Sequence, residues 1–129
     1  MHHSLEVYHH SQLVFYSDRN WIHPLFELEL FLQRNKIPIQ ELVVCDKIVG
    51  KAAALLLAYF QISQIKAELI SQLGIATLQY FNIKFDYQKK VERIYCQTEQ
   101  LLVNENDPVR AYEILKARAR QNPPDTHPE

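Results

Sequence analysis

The stretch from Leu42 to Phe60 constrains the fold more than any other. Leu42-Val43-Val44-Cys45 is a short, wholly apolar run, the pattern of a central strand covered on both faces. Asp46-Lys47 follow. Gly50 then opens a helix, Lys51 to Phe60, that is apolar nearly all round. A helix without a polar face has to be buried. Ala52, Ala53 and Ala54 let it lie close on a sheet.

The flanking sequence supplies the rest of that sheet. Leu5–His9 and Gln12–Ser17 are rich in Leu, Val, Phe and Tyr around His10-Ser11, which predicts a β-hairpin, although its turn lacks the glycine that tight hairpins prefer. Pro24 suits the first turn of a helix carrying Leu25, Leu28, Phe31 and Leu32 at helical spacing. Ile65–Ile70 predicts a strand and Leu73–Phe81 a helix. Ile83, Phe85 and Tyr87 alternate with Lys84 and Asp86, as in an edge strand. Val91, Ile94, Tyr95, Thr98, Leu101 and Leu102 make one stripe on a fourth helix. Asp107-Pro108 starts a fifth, with Asp as N-cap, Val109, Tyr112 and Leu115 as its stripe, and basic residues at its C-terminal end. Strands alternating with helices predict a three-layer α/β/α sandwich around a mixed, mostly parallel five-stranded sheet, to which the hairpin adds one antiparallel strand. One domain is expected over residues 1–120, followed by a flexible, proline-rich tail at 121–129.

Composition removes several function classes. With 129 residues and 47% hydrophobic content, the chain can bury a core without disulfides. Its net charge of −1 gives no field that attracts nucleic acid, and the basic cluster from Lys116 to Arg120 is short. No apolar run reaches the ~20 residues of a membrane span. Without a signal-peptide core, the expected location is cytoplasmic. The two cysteines, Cys45 and Cys96, are far apart, so zinc held by cysteines alone is excluded within one chain. Two glycines, Gly50 and Gly74, cannot build a nucleotide-cradling loop. No cofactor is expected.

A site belongs beyond the carboxyl end of the Leu42–Cys45 strand, where open α/β sheets bind ligands. The helix opened by Gly50 offers unpaired N–H groups there. Gly50 lets a ligand approach the backbone, Lys51 adds charge, and Asp46 can orient it. The competing reading is a tight turn with an exposed Asp46–Lys51 ion pair. Cys96 and Glu99 join the same cavity if their helix packs nearby, or else Cys96 is a small filler and Glu99 is solvated. Ser71 and Glu68 end a strand on the expected ligand side; either both line the pocket or Ser71 caps the next helix. Trp21 and His23, ahead of the first helix, read as a loop staple or a lid. His2, His3, His9 and His10 resemble a metal tract. Adjacent strand residues face opposite ways, so a solvated terminus is the plainer reading.

The order of elements, with Leu42-Val-Val-Cys-Asp-Lys-Ile-Val-Gly-Lys-Ala-Ala-Ala-Leu-Leu-Leu, Ile65-Lys-Ala-Glu-Leu-Ile-Ser and Leu78-Gln-Tyr-Phe-Asn-Ile-Lys-Phe-Asp-Tyr, resembles the cytidine-deaminase-like fold. Ser17-Asp-Arg, Ile22-His-Pro-Leu, Asp46-Lys-Ile-Val-Gly-Lys-Ala-Ala-Ala, Ala67-Glu-Leu-Ile-Ser and Cys96-Gln-Thr-Glu are similar to an uncharacterised bacterial family, the domain of unknown function 1893. That resemblance implies a fold and no activity. Zinc deaminases carry H-x-E at one helix start and P-C-x-x-C at the next. Here His23 has Glu27 four positions on, and Val49-Gly50-Lys51-Ala52-Ala53 holds neither cysteine.

The expectation is therefore a zinc-free deaminase-like domain, with no metal ligands, that binds a small, anionic molecule through Asp46, Gly50, Lys51, Ser71, Cys96 and Glu99. The alternative is a non-catalytic interaction or regulatory module acting as a homo-oligomer, with outward residues such as Tyr112 at its contacts. Neither reading involves nucleic acid or a membrane.

Overall fold

The computed structural model describes residues 2–94 and 97–122. Strand β1 (Leu5–His9) turns into β2 (Gln12–Ser17); α1 (His23–Arg34) and a single 3-10 turn (Ile39–Glu41) lead to β3 (Leu42–Val49). Then follow α2 (Lys51–Tyr59), β4 (Gln64–Ser71), α3 (Gln72–Tyr80), β5 (Lys84–Val91), α4 (Gln97–Leu101) and α5 (Pro108–Gln121).

The hairpin forms as its sequence suggests. His9 pairs with Gln12 across a two-residue turn, and both turn residues are left-handed, His10 at φ 50° and Ser11 at φ 66°. This is the backbone twist that two-residue hairpins favour, here made without glycine.

The sheet order is β2-β1-β3-β4-β5. β1 pairs antiparallel with both β2 and β3, while β3–β4 and β4–β5 are parallel. The sheet is thus evenly mixed, which corrects the mostly parallel expectation. β1 is the one strand that runs against the other four, as the hairpin reading expects, and because it sits between β2 and β3 it makes two antiparallel ladders.

The register places Leu5, Val7, Leu42, Val44, Ile65 and Ala67 on one face, all buried. On the opposite face, mid-sheet Val43, Cys45 and Glu68 are half-buried and Lys66 and Asp86 are exposed. Successive steps from β2 toward β5 run in one direction, so right-handed crossovers put α1, α2 and α3 on the same side. Phe31 of α1 meets Phe15 of β2 there, with ring centroids 5.1 Å apart. Among the described residues the expected second helical layer is therefore absent.

What covers α2 on its outer side is α5. Tyr112 stacks on Tyr59 at 4.2 Å and also meets Phe26 and Phe60. Its hydroxyl donates to Glu29 of α1. Tyr112 is thus a packing residue and not an outward one. Enclosed by the sheet and by its helical neighbours, α2 buries Lys51 through Leu57 without a break. The aliphatic core it completes is worth ~1.5–3 kcal/mol per fully buried large side chain.

Two boundaries differ from the sequence reading near the site. β3 continues to Val49, so Asp46 lies within the strand, between Leu5 of β1 and Ala67 of β4. Val91 pairs with Ser71 as the last residue of β5, which confines the described part of the fourth helix to α4. The ladder to β4 takes Val91 before the helical stripe can. The expected tail lies outside the described residues from 123 onward. No described helix is long and apolar enough to cross a membrane.

At Gly74, α3 lies close against the end of β3. A Cβ there would lie 2.6 Å from the Val49 carbonyl oxygen and 3.1 Å from Ile70 Cγ1. Ala is ordinarily the better helix former by ~1 kcal/mol, but backbone cannot yield as a flexible side chain can. Gly74→Ala is expected to destabilise the fold by about 1–3 kcal/mol in urea titrations; a stabilised variant would contradict this packing.

Candidate functional site

A helix exposes unpaired N–H groups at its first turn, and α2 begins at Gly50 with no side-chain cap from its own N-cap residue. The partner comes from elsewhere in the chain. The Lys51 N–H donates to Glu99 Oε2 at 2.8 Å, the Ser71 hydroxyl donates to the same oxygen at 2.8 Å, and the Ile94 N–H donates to Glu99 Oε1 at 2.9 Å. Glu99 is 3% exposed. A carboxylate so deeply placed is tolerated because charge-assisted bonds replace its water.

Ser71 serves two helices. Its oxygen accepts from the Gly74 N–H at 3.0 Å, capping α3, while its hydroxyl hydrogen goes to Glu99. Of the two sequence readings of Ser71, the structure shows the helix cap; Ser71 is not among the residues that line the adjacent cavity. Gly50 is small for a related reason. A Cβ on it would stand 2.5 Å from Glu99 Oε2. Its φ is −100°, so it is the carboxylate's approach, and not a left-handed turn, that disfavours a side chain there.

Lys51 is buried at 4% exposure, and its Nζ donates to the Val103 carbonyl at 2.9 Å. Burial pulls its pKa down, opposed by the nearby Glu105 and Glu99 carboxylates. It forms no ion pair with Asp46, so the exposed-pair reading is corrected. The strand separates the two, Asp46 staying in the middle of the ladder while the chain turns at Gly50 before Lys51.

Beside this hub lies a cavity of about 480 Å³. The loop at residues 18–22, the end of β3 from Asp46 to Ile48, Gly50, Ala52 and Ala53 of α2, and Ile94, Thr98 and Glu99 line it. That volume suits a small ligand. Asp46 sits between buried Leu5 and Ala67, and desolvation pushes its carboxyl up to about 7, weakly opposed by the N–H groups of Ile48 and Lys47. Trp21 forms part of the loop wall with φ 60°, a strained state for a large side chain. Its ring meets His23 edge-on at 5.2 Å. Trp21 Nε1 and His23 Nε2 are buried without hydrogen-bond partners among the described residues.

Of the residues singled out in the sequence, Gly50, Lys51, Ser71 and Glu99 therefore meet in one network, and Asp46 shares the cavity wall with Gly50 and Glu99. Cys96 lies outside the described residues. Cys45 is half-buried on the opposite sheet face, its thiol pushed up by burial. Missed from sequence were the Ile94 N–H and the Val103 carbonyl, which are backbone groups without a side-chain signature.

The family model described as "Domain of unknown function (DUF1893)" matches residues 2–118. The chain belongs to the DUF1893 family. A crystal structure of a DUF1893 family protein from Thermotoga maritima superposes with a TM-score of 0.76 at 25% identity, covering 89% of this chain and 80% of that one. No curated protein matches.

Two outcomes test the site's energetics. Glu99→Gln replaces an acceptor with an amide that must orient a donor toward N–H or O–H groups; a loss of about 1–3 kcal/mol in chemical denaturation is expected. Asp46 acts in the opposite sense. Its folded pKa of about 7 exceeds the ordinary value of 3.8, so ionisation costs stability progressively as pH rises between those values, and the full cost is present above 7. Asp46→Asn is expected to stabilise by about 1–2 kcal/mol at pH 8, partial exposure screening the rest, and by nearly nothing at pH 4. Equal gains at both pH values would contradict a raised carboxyl.

Proposed function

We propose that this domain binds a small molecule in the cavity between the Trp21 loop and the start of α2, without zinc. The observation that carries this reading is Asp46: a carboxyl on the wall of a roughly ligand-sized cavity, raised to about 7 by its apolar neighbours and paired with no cation among the described residues. Structural carboxylates gain stability from partners; this one destabilises the fold when ionised, as groups at binding sites often do.

The cavity wall carries both signs of charge, with Asp18, Arg19 and Lys47 beside the two carboxyls, and the ligand class follows from the groups at the start of α2 and at Asp46. The α2 N-terminus, the natural anion seat, is already filled by Glu99. Asp46 adds a second carboxyl on the same wall. A ligand bearing hydrogen-bond donors, such as an amine, amide or amino-heterocycle, therefore fits better than the anion expected from sequence. Ala52, Ala53 and Ile94 offer it an apolar bed.

The fold in this reading is cytidine-deaminase-like. Support comes from the strand order, the parallel β3-α2-β4-α3-β5 units, and a cavity bordered by the entry to α1 and the start of α2. In zinc deaminases those helix starts hold the metal ligands; here Gly50, Lys51, Ala52 and Ala53 stand at the second start, and none is a metal ligand.

A second reading, a homo-oligomeric interaction module, draws on the uncovered sheet face, where Leu13 and Tyr16 are 41% and 53% exposed. A second copy laid on that face would shield them.

The test is a fragment screen by protein NMR, with amines, amides and amino-heterocycles against carboxylates of equal size. Donor-bearing fragments are expected to move the amides of Ile48, Ala53 and Thr98, and Asp46→Asn to weaken them about tenfold, the loss of one charge-assisted bond. Binding untouched by Asp46→Asn, or carboxylates binding better, overturns the proposal. A dimer in analytical ultracentrifugation that Tyr16→Asp dissociates would favour the second reading.

A further inference from the structure

We propose a divalent zinc-type metal site at the tip of the β1–β2 hairpin, built from His9, His10 and Glu41. One ligand atom of each residue lies within 4.8 Å of the others. His9 Nε2 is 2.8 Å and His10 Nε2 3.1 Å from the same oxygen, Glu41 Oε1.

The backbone sets this meeting. His9 is paired with Leu42 in the β1–β3 ladder, and Glu41 immediately precedes Leu42, so the ladder fixes the two residues side by side. Strand alternation would send the next histidine to the other face. His10 escapes that rule because it lies outside the strand, in the left-handed first position of the turn. Its ring thus comes within 4.0 Å of the His9 ring, centroid to centroid. Metal binding would replace the two bonds to Glu41, each imidazole shifting its proton away from Nε2 so that the nitrogen can face the ion.

Two imidazole nitrogens and one carboxylate oxygen form a donor set suited to zinc, with the fourth tetrahedral position left to water. Zinc bonds of about 2.0–2.1 Å place tetrahedral ligand atoms ~3.3 Å apart. The present separations of 2.8 and 3.1 Å need to open by only a few tenths of an ångström, within reach of small side-chain rotations on an exposed turn. Hard cations such as magnesium prefer all-oxygen shells and hold their water, so the site discriminates against them. A bound ion would tie the hairpin to the 3-10 turn that leads into β3.

The test is calorimetric titration of the full chain, stripped of metal by chelation, with zinc chloride and separately with magnesium chloride. Expected are one saturable zinc site per chain and no magnesium binding. His10→Ala and Glu41→Gln are each expected to weaken zinc by at least about tenfold. Replacing both His2 and His3 by Ala is expected to leave the affinity unchanged. Histidine side-chain NMR of the unsubstituted protein gives an independent readout, with zinc shifting His9 and His10. Absent zinc binding, affinity unmoved by His10→Ala and Glu41→Gln, loss of binding in the His2/His3 variant, or shifts confined to other histidines each overturn the site.

Discussion

The Glu99 carboxylate is where the helical layer and the carboxyl ends of the strands are tied together. A carboxylate 3% exposed is costly unless hydrogen bonds replace its water. Here it accepts from the Lys51 and Ile94 backbones and from Ser71. The same bonds close the first turn of α2 and, through Ser71, of α3. The negative charge also complements the positive end of α2. Glycine at position 50, serine at position 71 and the inward course of the chain at Ile94 are all conditions for that one carboxylate to be buried.

This arrangement changes what the neighbouring cavity offers. In many α/β proteins the helix N-terminus is left open for a ligand's phosphate or carboxylate. This chain supplies the anion itself, and the remaining wall combines a raised carboxyl at Asp46 with small apolar residues from α2. Trp21, on the same wall, has a left-handed backbone, and its Nε1 and the neighbouring His23 Nε2 are buried without hydrogen-bond partners among the described residues. Relaxed packing at α5, where Tyr112 is stacked and hydrogen-bonded, forms a contrast.

Much of this was legible in residue patterns, and the failures have identifiable causes. The hairpin strands, the buried α2 and the Asp107 cap follow from local periodicity and cap chemistry. The place of β1 in the sheet does not, because pairing between strands distant in sequence leaves no local trace. The second helical layer was expected from strands alternating with helices; which side each crossover takes depends on the strand order, and that leaves no local trace in the sequence. Gly50, Lys51, Ser71 and Glu99 were named together as polar residues near one strand end. That Glu99 is the anion, rather than a neighbour of one, depends on the chain turning inward at Ile94. The histidine pair was dismissed by strand alternation, a rule that lapses one residue past the strand.

The separation of Glu99 from its partners along the chain also bears on synthesis. It is 48 residues from Lys51 and 28 from Ser71. A nascent polypeptide that has emerged through Val91 possesses every strand of the sheet and three of its helices, yet α2 still lacks the acceptor for its first N–H and Lys51 still lacks the Val103 carbonyl. Loop closure over such distances is an entropic cost that local contacts cannot offset. The first turn of α2 can close only after the segment from Ile94 to Val103 has emerged, and the outer apolar face of α2 stays uncovered until α5 follows.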